Sequence, residues 1–251
     1  MLIEALHYLA TLPFTARDKR PYIRSSVSLW ARARRCAKDW QAHEDNSKAL
    51  VRTKVAGLHQ RRTVVVLGSG LLRDVPIELL AKKFDTVVLV DLVHLASVRM
   101  KMMRKKYRNV RLISRDLSGY DALIAGGAIE PLSFLRQVPY LDLVISANLL
   151  SQLGLGASRR LAAEPTGPTP DAGSRSIIAA HLDGMRQLPA PTCLITDRAY
   201  TVLDRSGIVL ETTDLLHGVE IAPAGQVWDW PVSPFGETDS AYQVVHQVVA
   251  M

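Results

Sequence analysis

Apolar residues along this chain fall into two rhythms. From Thr63 onward, short runs rich in valine, leucine and isoleucine (TVVVLG, DTVVLVD, NVRLIS, LDLVISA and PTCLIT) alternate with longer stretches such as PIELLAKKF and LASVRMKMMRKKY. The short runs predict buried strands, and the longer ones, with apolar positions three or four apart, predict helices. Strands separated by helices imply an α/β fold with a mostly parallel, doubly wound sheet covered on both faces. After about residue 205 the rhythm changes. QVWDWPVSP and AYQVVHQVVAM alternate as strands do, with the turn-rich FGETDS between them, which predicts an antiparallel C-terminal pair at the sheet edge.

Before Thr63 the pattern is helical. Leu2, Ile3, Leu6 and Leu9 predict an amphipathic helix, and Val27, Trp30, Cys36 or Ala37, and Trp40 predict more helix, with Ser25 and Ser26 as caps. That spacing favours tryptophans packed inward and arginines left in solvent. Gly57 and the polar HQRR end the segment. The division expected is an N-terminal helical cap, 1–62, on a larger domain, 63–251. Residues 154–176, rich in Gly, Pro, Ser and Ala, predict a long mobile loop, read either as a lid or as an unstructured insertion.

Length and composition narrow the class. A chain of 251 residues with 48% hydrophobic and 22% charged residues suits one large globular domain. No apolar run approaches the roughly 18 residues needed to cross a bilayer. MLIEALHYLATLPF lacks a basic leader and is interrupted by Glu4 and His7, so no signal peptide and no membrane partner are expected. Cys36 and Cys193 are the two cysteines, without a second pair for a metal site, and a cytoplasmic location follows as the default. The net charge of +7 lies mainly before Thr63, where thirteen Lys/Arg face five Asp/Glu. With Tyr22, Trp30 and Trp40 this segment offers RNA as an alternative partner, through phosphate neutralisation and base stacking.

The candidate chemistry centres on VVVLGSG followed by VLVD. Gly68 and Gly70 let a ligand approach the backbone between a strand and a helix start, and Pro76 suits that helix's first turn. Asp91, ending the second strand, is placed to accept from ribose hydroxyls. A dinucleotide would suit the same features, but Arg73 occupies the third position of G-x-G-x-x-G, where glycine or alanine is needed.

Taken in order, the turn VVVLGSG, the acid of VLVD, RLISRDLSG, LDLVISANLLSQL and the terminal strand pair resemble the class I, Rossmann-like S-adenosylmethionine-dependent methyltransferases, from about Thr63 to the C-terminus. The resemblance implies S-adenosylmethionine as cofactor. It sets Gly68, Ser69 and Gly70 by the methionine portion and Asp91 and Leu92 by the ribose. Asp116 and Leu117 fall near the adenine, and Asn148 near the transferring methyl group. Val66 stands where the family carries an acid and Leu72 where it often carries glycine, so Arg73 and Asp74 are the expected substitutes in holding the methionine end. ANLLSQL lacks the Asn-Pro-Pro-aromatic signature of base-amine enzymes, which favours a small-molecule acceptor. An RNA methyltransferase and a non-catalytic ligand-binding relative are the alternatives. No histidine or acid pair marks a catalytic base. His181 reads as a core histidine, His217 and His246 have no role, and Asp197, Arg198 and Tyr200 are either pocket lining or polar loop.

Overall fold

The computed structural model describes residues 2–164, 166–221 and 225–251. Five strands run parallel: β1 (Thr63–Leu67), β2 (Thr86–Asp91), β3 (Val110–Ser114), β4 (Leu141–Ala147) and the start of β5 (Thr192–Asp204). Their spatial order is β3-β2-β1-β4-β5. Beyond β5 lie β8 (Tyr242–Ala250) and then β7 (Gln226–Ser233), both in antiparallel pairing, as expected for the terminal pair.

One strand is not foreseen by the pattern. β5 continues past the end of β4, and β6 (Val209–Asp214) folds back to pair with that extension over Ala199–Leu203. The exposed faces of β6 carry no apolar alternation that marks a strand, because most of its residues face solvent.

Period-two alternation divides the sheet between two cores. Val64, Val66, Val87, Leu89, Leu143 and Ile145 pack on one side with residues of α2 (Ile23–Arg35), α3 (Gln41–Ala56), α4 (Ile77–Lys83) and α5 (Ala96–Arg104). Val65, Leu67, Val88, Val90 and Val144 pack on the other with α6 (Tyr120–Ile124), α7 (Leu150–Leu161) and α8 (Pro170–Arg186). The N-terminal helices therefore have no core of their own; Ile23, Val27, Cys36, Trp40 and Val51 complete the first layer.

The mobile loop expected over 154–176 is instead largely helix. Its two ends belong to α7 and α8, with 162–164 and 166–169 the described residues between them; residue 165 lies outside the described residues. The small residues serve helix contact rather than chain freedom. A Cβ on Gly154 would meet Ile178 Cδ1 at 2.8 Å, and one on Gly173 would collide with Leu161. Thr169 accepts from Ala172 N–H and Pro170 opens α8, a normal helix start.

The first helix, α1 (Leu2–Thr11), forms where periodicity places it but with the opposite facing. Leu2, Ile3, Leu6 and Leu9 are exposed, while His7 and Thr11 are buried. The reason is local. Thr11 Oγ1 accepts from Ala96 N–H at 3.1 Å and His7 Nε2 accepts from Ser97 N–H at 3.3 Å, so the polar side of α1 satisfies the first amides of α5.

Candidate functional site

The carboxyl ends of β1, β2 and β4 converge on one cleft, lined by Gly68, Ser69, Gly70, Arg73, Asp74, Asp91 and Asn148 among others. Gly68 N–H and Ser69 N–H both donate to Val90 O, at 3.0 and 3.3 Å, which pins the turn to β2. Gly68 and Gly70 hold φ of 70° and 45°, left-handed values that favour glycine. The chain does not pass directly into a helix. α4 begins only at Ile77, so irregular chain carries Arg73 and Asp74, while the start of α7, with Leu149 and Gln152, lines the cleft.

Asp91 is tied to the turn itself. Its Oδ2 accepts from Gly70 N–H at 2.6 Å and its Oδ1 from Leu92 N–H at 2.7 Å. Burial pushes this carboxyl above its ordinary value, against the pull of those donors and of His94. Two hydrogen bonds use about half of the roughly four acceptor sites of a carboxylate, leaving capacity for ligand hydroxyls.

Arg73 lines the same cleft and is held from the cap side. Its Nε donates to Glu44 of α3 at 2.5 Å, and Lys48 lies 3.6 Å from the other Glu44 oxygen. Ser26 and Leu29 of α2, with Trp40, close the cleft above the turn.

Asn148 follows β4 with φ of 49°, an unfavourable value for a residue with a side chain. Its Nδ2 donates to Asp74 Oδ2 at 2.8 Å, and the amide lies 3.0 Å from His43 Nε2. His43 is fully buried, stacked on Trp230 at 4.0 Å, and its Nδ1 accepts from Trp228 Nε1–H at 3.0 Å. The other ring nitrogen, Nε2, lies 3.6 Å from Asp74 Oδ1. Burial lowers the pKa of His43 although Asp74 opposes it.

A second polar cluster stands beside Trp230. Asp197, at the end of the parallel part of β5, accepts from Ser151 Oγ–H of α7 and from His246 Nδ1–H of β8, the latter at 2.5 Å. A register shift between Asp197 and Ala199 accompanies this placement. Although burial raises the Asp197 pKa, the His246 and Ser151 hydrogen bonds outweigh it and the carboxyl is held below its usual value. His246 lies edge-on to Trp230, with ring centroids 5.9 Å apart, and Trp230 lines the cleft.

The structure thus brings Gly68, Ser69, Gly70, Arg73, Asp91 and Asn148 together. It does not bring Asp116 and Leu117 to them. Asp116 is exposed, its Oδ1 accepting from Ser118 N–H and Oγ–H and its Oδ2 lying 3.8 Å from Arg160. Leu117 is buried in the α7–α8 core, and Leu92 packs against the other core. Tyr200 donates to Glu211 and stacks near His246, whereas Arg198 is exposed. Trp40 is inside the core, and Trp30 is half-buried against His7 with Arg34 over its ring.

Glu44 and His43 are not singled out by sequence, and His246 is named there without a role. Their partners lie far along the chain, and only the fold puts an imidazole beside Asp197 or a carboxylate beside Arg73. His181 is a core residue, its Nε2 3.1 Å from Ser146 Oγ.

Three buried polar atoms of residues lining the cleft have no partner among the described residues: Ser69 Oγ, Asn148 Oδ1 and Trp230 Nε1. Burying such atoms unpaired costs about 1–3 kcal/mol each, so a ligand that pairs with them gains that stabilisation.

No protein-family model and no curated protein matches this chain. Among solved structures, it is similar to a SAM-dependent methyltransferase from Aquifex aeolicus, with 12% identity and a TM-score of 0.37 over 81% of this chain and 89% of that one. It is also similar to the N-methyltransferase NodS from Bradyrhizobium japonicum in complex with S-adenosyl-L-homocysteine, with 13% identity and a TM-score of 0.37 over 82% and 85%. A third is an rRNA methylase from Streptococcus thermophilus, with 10% identity and a TM-score of 0.35 over 78% and 91%.

Proposed function

We propose that the chain is an S-adenosylmethionine-dependent methyltransferase acting on a small-molecule acceptor. The observation that carries this reading is the glycine turn locked to the strand-two acid through Gly70 N–H, with Ser69 Oγ and Asn148 Oδ1 unpaired at the same cleft. Gly68, Ser69 and Gly70 would hold the methionine portion and Asp91 the ribose hydroxyls. Arg73 uses Nε for Glu44, and a guanidinium has further N–H donors for a ligand carboxylate. Bound there, S-adenosylmethionine supplies an electrophilic methyl group.

The chain's own residues would position the acceptor and exclude water, the main requirements of in-line transfer.

As closed by α2, the cleft holds about 120 Å³.

Calorimetric titration with S-adenosylmethionine, S-adenosylhomocysteine and NAD tests the reading. Micromolar binding of the first two without NAD is expected, and Arg73→Ala should weaken it about tenfold, the loss of one charge-assisted hydrogen bond. Binding of NAD alone would replace the proposal with a dinucleotide enzyme. Binding of none would leave a methyltransferase-like fold without this cofactor.

A further inference from the structure

We infer that α1 and the adjoining end of α5 form a docking face for an anionic lipid bilayer surface, through which the protein attaches peripherally. Among the described residues no helix is long and apolar enough to cross a membrane; the contact argued here lies in the plane of the interface.

Leu2, Ile3, Leu6 and Leu9 are 75%, 58%, 58% and 59% exposed, and Met100 and Met103 of the neighbouring helix are 53% and 77% exposed. Phe14, just past α1, is 57% exposed and has Arg99 over its ring at 5.2 Å. Exposed apolar side chains in this number on a folded protein mark an interaction site. Its facing is fixed, because His7 and Thr11 are engaged with Ser97 and Ala96 N–H and His7 packs edge-on against Trp30 at 4.4 Å. Rotating α1 to bury its leucines would break these contacts.

The charge around the patch identifies the occupant. Residues 2–24 and 96–108 carry ten Lys/Arg, among them Arg17, Arg20, Arg104 and Lys105, against Glu4 and Asp18 within the same segments; Lys101 also lies 3.7 Å from Glu78. α1 itself carries no Lys or Arg, so the cations that would meet the phosphates come from the segment that follows it and from α5, with the α1 leucines supplying the apolar tips. Each such cation near an anionic leaflet adds about 1 kcal/mol. A second copy of the chain fits less well, since pairing two such faces would bring the same cations against one another.

The test is flotation of the full chain with vesicles of phosphatidylcholine alone and of phosphatidylcholine mixed equally with phosphatidylglycerol. Binding to the mixed vesicles only is expected, weakened by salt, and lowered at least tenfold in Leu6→Glu/Leu9→Glu. Both positions are exposed, so circular dichroism and the thermal midpoint should stay at the parent values. Failure to bind mixed vesicles overturns the proposal. So does unchanged binding by the double variant, which would reduce the effect to charge alone. Sedimentation equilibrium without lipid supplies the third outcome: self-association lost in the double variant would make the occupant a second copy and overturn the bilayer. None of these readouts depends on the cofactor.

Discussion

Gly68→Ala is expected to destabilise the protein by about 2–5 kcal/mol, seen as a lower urea midpoint at unchanged slope. Two effects combine. An alanine held at φ of 70° costs about 1–2 kcal/mol. The added Cβ would also lie 2.8 Å from Leu149 Cβ and 3.1 Å from Ala147 O, and overpacking of that kind adds about 1–3 kcal/mol. Gly126 separates them. It has φ of 66° but nothing within 4 Å of an added Cβ, so Gly126→Ala should show the conformational part alone. Equal losses in the two variants would mean that the Gly68 turn yields without a steric cost and is not rigidly held between β2 and β4.

Acidification from pH 6.5 to 4 is expected to remove about 3 kcal/mol through His181 alone. Its imidazole is fully buried, and burial pushes its pKa from 6.5 down to about 4. The unfolded chain takes up the proton more readily across this window. Stability is therefore complete above about pH 6.5, falls as pH drops toward 4, and levels below it. His7, His43 and His94, also lowered by burial, act in the same direction, while the raised carboxyl of Asp91 acts in the opposite one. Urea unfolding at pH 7 and pH 4.5 should thus show a smaller acid loss in His181→Leu/Ser146→Ala than in the parent. The same loss in both would show that His181 is not held neutral in the fold.

Much of the sheet was legible because its strands are apolar on both faces, as β1 and β2 are when covered by two helical layers. The terminal pair was legible from its alternation. What failed did so for identifiable reasons. Gly154 and Gly173 punctuate a sequence like a loop, yet they sit where α7 and α8 touch. The leucines of α1 have the period of a buried face, but the period says nothing about which side is buried, and the needs of Ala96 and Ser97 decided it. At the cleft, the turn and Asp91 were readable because both lie at strand ends. His246 and Asp197 are 49 positions apart and His43 and Trp228 are 185 apart, and local spacing gives no hint of such pairs.

The attachment of α2 and α3 to the last strands has a consequence for biosynthesis. Trp40 Nε1–H donates to Val232 O, Arg35 pairs with Glu237, and His43 meets Trp228 and Trp230, spans of 185 to 202 positions. A ribosome releases residues 23–56 long before 226–237, so the early helices emerge with Trp40 and its apolar neighbours lacking their final partners. Contacts of such high order slow folding and lengthen the exposure of sticky intermediates. Closing the chain on itself must therefore be a late event, and the nascent protein should depend on chaperone protection until β7 arrives.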